Sequence, residues 1–151
     1  MPQFSSRQWL YRNPLAVSMV LMTAVAVSVL FFFLDSWAST VLVAGTIVVV
    51  LALLLINLDV EVSREGEVSA RFWGIPAKRI GIAEVAAVEV RDYSPMRDFG
   101  GWGWRFGKGG KRAFTLYGST AVVITTHDGE EIFLGVDHPG QMERVLTTLV
   151  K

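Results

Sequence analysis

Two long apolar runs lie back to back near the start of the chain. No charged residue occurs from Pro14 to Leu34 or from Val41 to Leu58, and only Asp35 to Thr40 separates the runs. A helix rises about 1.5 Å per residue, so about 20 apolar residues cross a hydrocarbon core about 30 Å thick. The pattern predicts two membrane-crossing helices, at about 14–34 and 41–58. The short connection, marked by Asp35 and Trp37, makes them an antiparallel hairpin. A secretory leader is the rival reading of the first run, but leader apolar stretches span only about 7–15 residues.

After Leu58 the periodicity switches to alternation, the mark of half-buried strands. Val60 and Val62 alternate with Asp59, Glu61 and Ser63, and Glu65-Gly66 turns the chain. Val68, Ala70 and Phe72 alternate with Ser69, Arg71 and Trp73. Gly74-Ile75-Pro76 breaks the run, because proline cannot donate to a strand ladder. Further strands are predicted at Lys78 to Ile80, about Val88 to Tyr93, Ala113 to Tyr117, Ala121 to Thr126 and Glu131 to Val136. Asp128-Gly129 supplies the turn between the last two. Met142, Val145, Leu146, Leu149 and Val150 form one apolar stripe on a closing helix, with Asp137 or His138 as its cap and Pro139 opening it. The chain thus divides into an N-terminal segment 1–13, the hairpin 14–58 and a domain 59–151.

Charge sharpens this division. The chain is neutral overall, with 14 Lys/Arg and 14 Asp/Glu. The turn between the apolar runs has no Lys or Arg, whereas Arg7 and Arg12 precede the hairpin and the other basic residues follow it. Positive charge stays in the cytoplasm. The expected location is therefore the cytoplasmic (inner) membrane, multi-pass, with both termini inside. With no cysteine, disulfides, thiolate metal sites and cysteine nucleophiles are excluded.

Several positions carry a family resemblance. They are Arg97-Asp98-Phe99-Gly100-Gly101-Trp102-Gly103, Gly118-Ser119-Thr120-Ala121-Val122, Asp128-Gly129 with Leu134-Gly135, and the helix from Pro139. With two membrane helices in front, the chain resembles small bacterial membrane proteins that carry a bacterial PH-like (pleckstrin-homology-like) domain. The resemblance implies a mainly-β PH-like barrel of seven antiparallel strands, grouped four and three, capped by the C-terminal helix. It implies no enzyme activity and no cofactor. In lipid-binding PH domains, basic residues on the first hairpin turn hold a phosphoinositide. Here that turn is Arg64-Glu65-Gly66-Glu67, net acidic, so the resemblance does not extend to that headgroup site.

One stretch stands apart. Ser94 to Arg112 is rich in glycine and reads as a long loop, and long loops are often functional. It holds Arg97, Trp102, Trp104, Arg105, Phe106, Lys108, Lys111 and Arg112, with Asp98 as its one acid. Because the first strand starts directly at the hairpin's end, counting strands out and back puts Ser94 on the membrane-facing side, together with Trp73 and Gly74. Tryptophan favours the headgroup level, and each Lys or Arg near an anionic leaflet contributes about 1 kcal/mol. These eight residues are the candidate membrane or partner contact. The alternative is that the aromatics fold back as packing.

Other chemistries lack their residues. The phosphate-loop spacing fails at Gly107-Lys108-Gly109, and the dinucleotide fingerprint fails at Phe106. His127 and His138 read as turn and cap residues rather than metal ligands or acid–base groups, and Glu130-Glu131 as a solvated turn pair. Nucleic acid is not expected as a partner without a wider basic face. The leading expectation is a non-catalytic, membrane-anchored binding or scaffolding module whose partners are the bilayer and another membrane protein. An anionic-lipid surface sensor acting through 97–112 is the alternative, and an enzyme comes last.

Overall fold

The computed structural model describes residues 2–33 and 37–150. Residues 9–56 form one unit, and residues 1–8 with 57–151 form the other.

In the first unit, a 3-10 turn, Leu10–Arg12, leads into helix α1, Pro14–Phe32. Asn13 caps α1 by accepting the Ala16 N–H through its side chain, and Pro14 occupies the first helical position, where its missing N–H costs nothing. Helix α2, Trp37–Leu54, follows. The Leu10 N–H bonds to the Ile56 carbonyl at 2.9 Å. The residues before α1 and after α2 are thus joined, so the helices run antiparallel. Both are long and apolar enough to span a membrane, and neither buries any of its spanning window within the chain.

The sequence places the second helix at 41–58, whereas α2 ends at Leu54 and strand β2, Asn57–Val62, begins within the apolar run. The last apolar residues have another task, since Leu58 is fully buried in the core of the second unit. Asp35, expected to mark the turn, lies outside the described residues.

The second unit is built on two sheets. Strands β1 (Phe4–Trp9), β2, β3 (Glu67–Phe72) and β4 (Ile75–Gly81) form the first, in that order. The second contains β5 (Val85–Asp92), β6 (Gly103–Phe106), β7 (Arg112–Thr115), β8 (Thr120–Thr126) and β9 (Glu131–Leu134), in the order β5-β8-β9-β7-β6. A short helix α3, Pro95–Phe99, follows β5, and helix α4, Pro139–Val150, closes the chain. Met142 and Leu146 of the expected stripe are fully buried; α4 packs on β5 and β8.

Two expectations are corrected. The strands form sheets of four and five rather than seven strands of a closed barrel. They are also not all antiparallel, because β7 and β9 pair in parallel. The seven expected strands are present, and two more, β1 and β6, complete the sheets. Pro76 does not break the chain. It sits in β4, an edge strand, where its missing N–H takes no ladder bond from a neighbour.

β1 has no hydrophobic alternation, because its inward positions are Phe4, Ser6 and Gln8. The polar pair is spent on the other sheet. The Gln8 side-chain oxygen, Oε1, accepts the Leu116 N–H at 3.2 Å, and the Ser6 hydroxyl accepts the Asp137 N–H at 3.0 Å. Gln3 N–H bonds to the Val62 carbonyl, and the Arg7 guanidinium grips the Asp59 carboxylate, so β1 runs antiparallel to β2. Asp59 pushes the Arg7 pKa upward.

The β3–β4 turn is unusual. Only two residues, Trp73 and Gly74, link the strands, and both have positive φ, 51° and 76°. A tight two-residue hairpin turn needs this hand and favours Asn-Gly. A tryptophan there stores about 1–3 kcal/mol of backbone strain.

Gln8 is 2% exposed, so Gln8→Ala removes a buried acceptor and should cost about 1–3 kcal/mol. Denaturant unfolding of the detergent-solubilised full chain measures this. An unchanged midpoint would remove β1 from the account of the core.

Candidate functional site

The stretch predicted as one glycine-rich loop is ordered along its length. Pro95 starts α3, which Gly100 ends in the left-handed conformation, φ 71°. Gly101 and Gly103 also have positive φ and steer the chain into β6. β6 then pairs with β7, placing Trp104 opposite Phe114 and Phe106 opposite Arg112. The turn closes through Gly107 N–H to the Lys111 carbonyl. No side chain fits at Gly107, where a Cβ would stand 2.8 Å from the Phe99 ring.

Of the eight predicted residues, Trp104, Phe106 and Arg112 come together, with the Trp104 and Phe106 ring centroids 6.4 Å apart and the Arg112 guanidinium 5.5 Å from the Phe106 ring. Trp102 Nε1–H donates to the Gly118 carbonyl at 3.0 Å, at the end of sheet two where β8 begins. Arg97 is exposed on α3 and lies 3.6 Å from Asp98. Arg105 donates from Nε to the Trp102 carbonyl. Lys111 and Arg112 instead lie against Glu131 and Glu130, at the end where β8 runs out. The exposed Lys108 belongs to the β6–β7 turn.

The aromatics divide as well. Phe99 is buried against Tyr93 and Phe133, with ring centroids at 5.9 and 5.1 Å. Burial pushes the Tyr93 phenol pKa upward, with Thr115 opposing. Trp104 lies 5.8 Å from the buried Phe114 ring yet is 48% exposed, and Phe106 is 67% exposed. Together they give β6, an edge strand, an apolar outer surface next to an unpaired strand edge.

The basic residues carry less free charge than their count implies. Glu130 meets Lys78 at 3.0 Å and Arg112 at 2.5 Å, while Glu131 meets Lys111 at 2.9 Å and Arg91 at 3.2 Å. The pair read as a solvated turn is a half-buried hub for four cations. Lys78 comes from β4, so the hub also ties the edge of sheet one to sheet two. Local sequence gave no signal for it, because the four cations come from three strands and the end of the β6–β7 turn. A shallow concavity of about 460 Å3 lies beside the hub, between the β6–β7 and β8–β9 turns.

An apolar groove of about 790 Å3 runs between α1 and α2, with Thr23, Val41, Gly45 and Val49 in its walls. Among the described residues, no three His, Cys, Asp or Glu side chains are arranged to hold a metal ion. No protein-family model and no curated protein matches the sequence.

One prediction separates packing from surface. Phe99→Ala should cost about 3–5 kcal/mol, and Trp104→Ala, at a half-exposed position, less, in the same unfolding assay. The second concerns pH. Lys111 first, and then Arg91, hold the Glu131 carboxyl below the ordinary carboxylate range, against partial burial. Its folded pKa lies below its unfolded one. The stabilisation is therefore full above the ordinary carboxylate range and is lost as pH falls through the depressed value. Glu131→Gln should be less stable than wild type at neutral pH, and the two should converge in acid. A constant gap would contradict the assignment.

Proposed function

We propose that this chain is a non-catalytic, membrane-anchored binding or scaffolding module of the bacterial PH-like kind. In this reading α1 and α2 cross the cytoplasmic membrane, both termini are cytoplasmic, and the β-rich unit is displayed at the inner leaflet. The observation that carries the reading is the pairing of β1 with β2. The segments before α1 and after α2 enter one folded unit, and segments that share a sheet must lie on the same side of a bilayer. An even number of crossings satisfies this. Charge supports the choice of side, since Lys and Arg are absent between the apolar runs and abundant outside them.

Two sheets packed with a C-terminal helix agree with a PH-like plan. The parallel β7–β9 pair and the added β1 and β6 depart from it. For partner binding, the support is the edge strand β6 with its exposed Trp104 and Phe106, since an exposed sheet edge can accept an added strand. An anionic-lipid sensor acting through one basic loop draws less support, because Lys111 and Arg112 are held by Glu131 and Glu130.

The natural absence of cysteine makes single-cysteine topology mapping direct. In intact bacterial cells, a membrane-impermeant maleimide should label Trp37→Cys from outside, and Glu65→Cys only after lysis. Labelling of Glu65→Cys in intact cells would overturn the orientation.

A further inference from the structure

The β3–β4 hairpin tip combines three features that packing within the domain does not explain. Trp73 is 58% and Ile75 66% exposed, and Gly74 and Pro76 beside them are exposed too. Trp73 also holds a positive φ that its side chain disfavours; among the described residues it is the one non-glycine residue to do so. An asparagine would meet the turn's demand with less strain. The position thus carries a large, exposed apolar ring at a backbone cost.

Chain connectivity says where this tip must be. Trp9 and Tyr11, with ring centroids 5.9 Å apart, stand just before α1, and Tyr11 is 54% exposed. Trp and Tyr at the end of an apolar helix mark the headgroup level. Leu10, between them, bonds to Ile56, so Ile56 lies at that level too. Asn57 is the next residue, about 3.8 Å on from Cα to Cα. Its carbonyl accepts the Trp73 N–H at 2.9 Å, and Phe72 stands in register with Leu58. The Trp73 backbone is therefore one covalent step and one hydrogen bond from the residue at the interface. The headgroup layer is about 5–8 Å deep on each side, within reach of an indole from there.

We infer that the exposed tip Trp73-Gly74-Ile75-Pro76 is an interfacial foot, docking in the lipid headgroup layer and limiting how far the β-rich unit can swing away from the membrane. The occupant of this surface is lipid rather than a protein partner, because its distance from the end of α2 is set by chain length. The foot is apolar, with an indole suited to the headgroup region, so it does not require anionic lipid. The inference rests on the membrane reading of α1 and α2, and the experiment separates the two.

Single cysteines are placed at Val48, Ile75 and Glu65 in the full chain. Val48 lies within α2, and Glu65 lies in the turn at the opposite end of the β2–β3 hairpin from the foot. Each is labelled with a fluorophore and reconstituted in neutral phosphatidylcholine vesicles carrying nitroxide at the headgroup or deep in the acyl chain. The Val48→Cys label should be quenched by the deep nitroxide, the Ile75→Cys label several-fold more by the headgroup nitroxide than by the deep one, and the Glu65→Cys label by neither. Deep quenching at Val48 with none at Ile75 would overturn the foot and leave the anchorage standing. No deep quenching at Val48 would overturn both. Adding Trp73→Asn to the Ile75→Cys variant keeps a competent turn, so it should lower the headgroup quenching while Glu65→Cys with Trp73→Asn stays unquenched. Undiminished quenching at Ile75 would overturn the role of Trp73.

Discussion

Everything in this molecule hangs on one strand pairing. β1 precedes the apolar hairpin and β2 follows it, and they are hydrogen-bonded neighbours in one sheet. The hairpin is therefore an insertion between two adjacent strands of a folded unit, with Leu10 and Ile56 bonded at its base. The Arg7–Asp59 pair reinforces the join from the side chains. Once the two strands pair, the chain ends on both sides of the hairpin are committed to one side of any bilayer the helices cross.

The same pairing explains how a small unit of about a hundred residues keeps two sheets together. Ser6 and Gln8 of β1 reach the backbone beyond β9 and β7, while Lys78 of β4 reaches Glu130 beside β9. One edge of sheet one is thus tied by neutral hydrogen bonds and the other by an ion-pair hub. A buried glutamine is tolerated because its oxygen has a partner, as a buried polar group requires. Gly135 lies so close to Gln8 that a Cβ there would come within 2.8 Å of its oxygen.

The helices were legible because twenty uncharged apolar residues have few other uses. The end of α2 was not, since Leu58 is as apolar as a helix residue yet belongs to a strand core. Val60, Val62, Val68 and Ala70 announced their strands by alternation and are buried. β1 was invisible because two of its three inward positions are serine and glutamine, whose partners lie more than a hundred residues away. The glycines at 100, 101 and 103 suggested one long loop. They instead permit the turns that connect α3 to β6, and Gly107 makes room for Phe99. The basic composition of this stretch was plain in the sequence. The pairing of its Lys111 and Arg112 with Glu131 and Glu130 was not, because it depends on sheet order.

The functional reading follows from this architecture. In the 94–112 stretch, Trp104, Phe106 and Arg112 are neighbours on β6 and β7, whereas Trp102 bonds to Gly118 and Lys111 to Glu131. In the proposed membrane setting, one hydrogen bond from Trp73 to Asn57 ties the β3–β4 turn to the residue that follows the hairpin, and its exposed indole is the proposed lipid contact. Edge strand β6, with its exposed Trp104 and Phe106, is the surface proposed for a protein partner.

The pairing of β1 with β2 is tested most directly by hydrogen exchange on the full chain in a bilayer or detergent. The account predicts that the amides of Gln3 and Leu10, which bond to Val62 and Ile56, exchange slowly, in step with those of β2. Fast exchange of β1 like an unstructured tail, beside a protected β2, would contradict it.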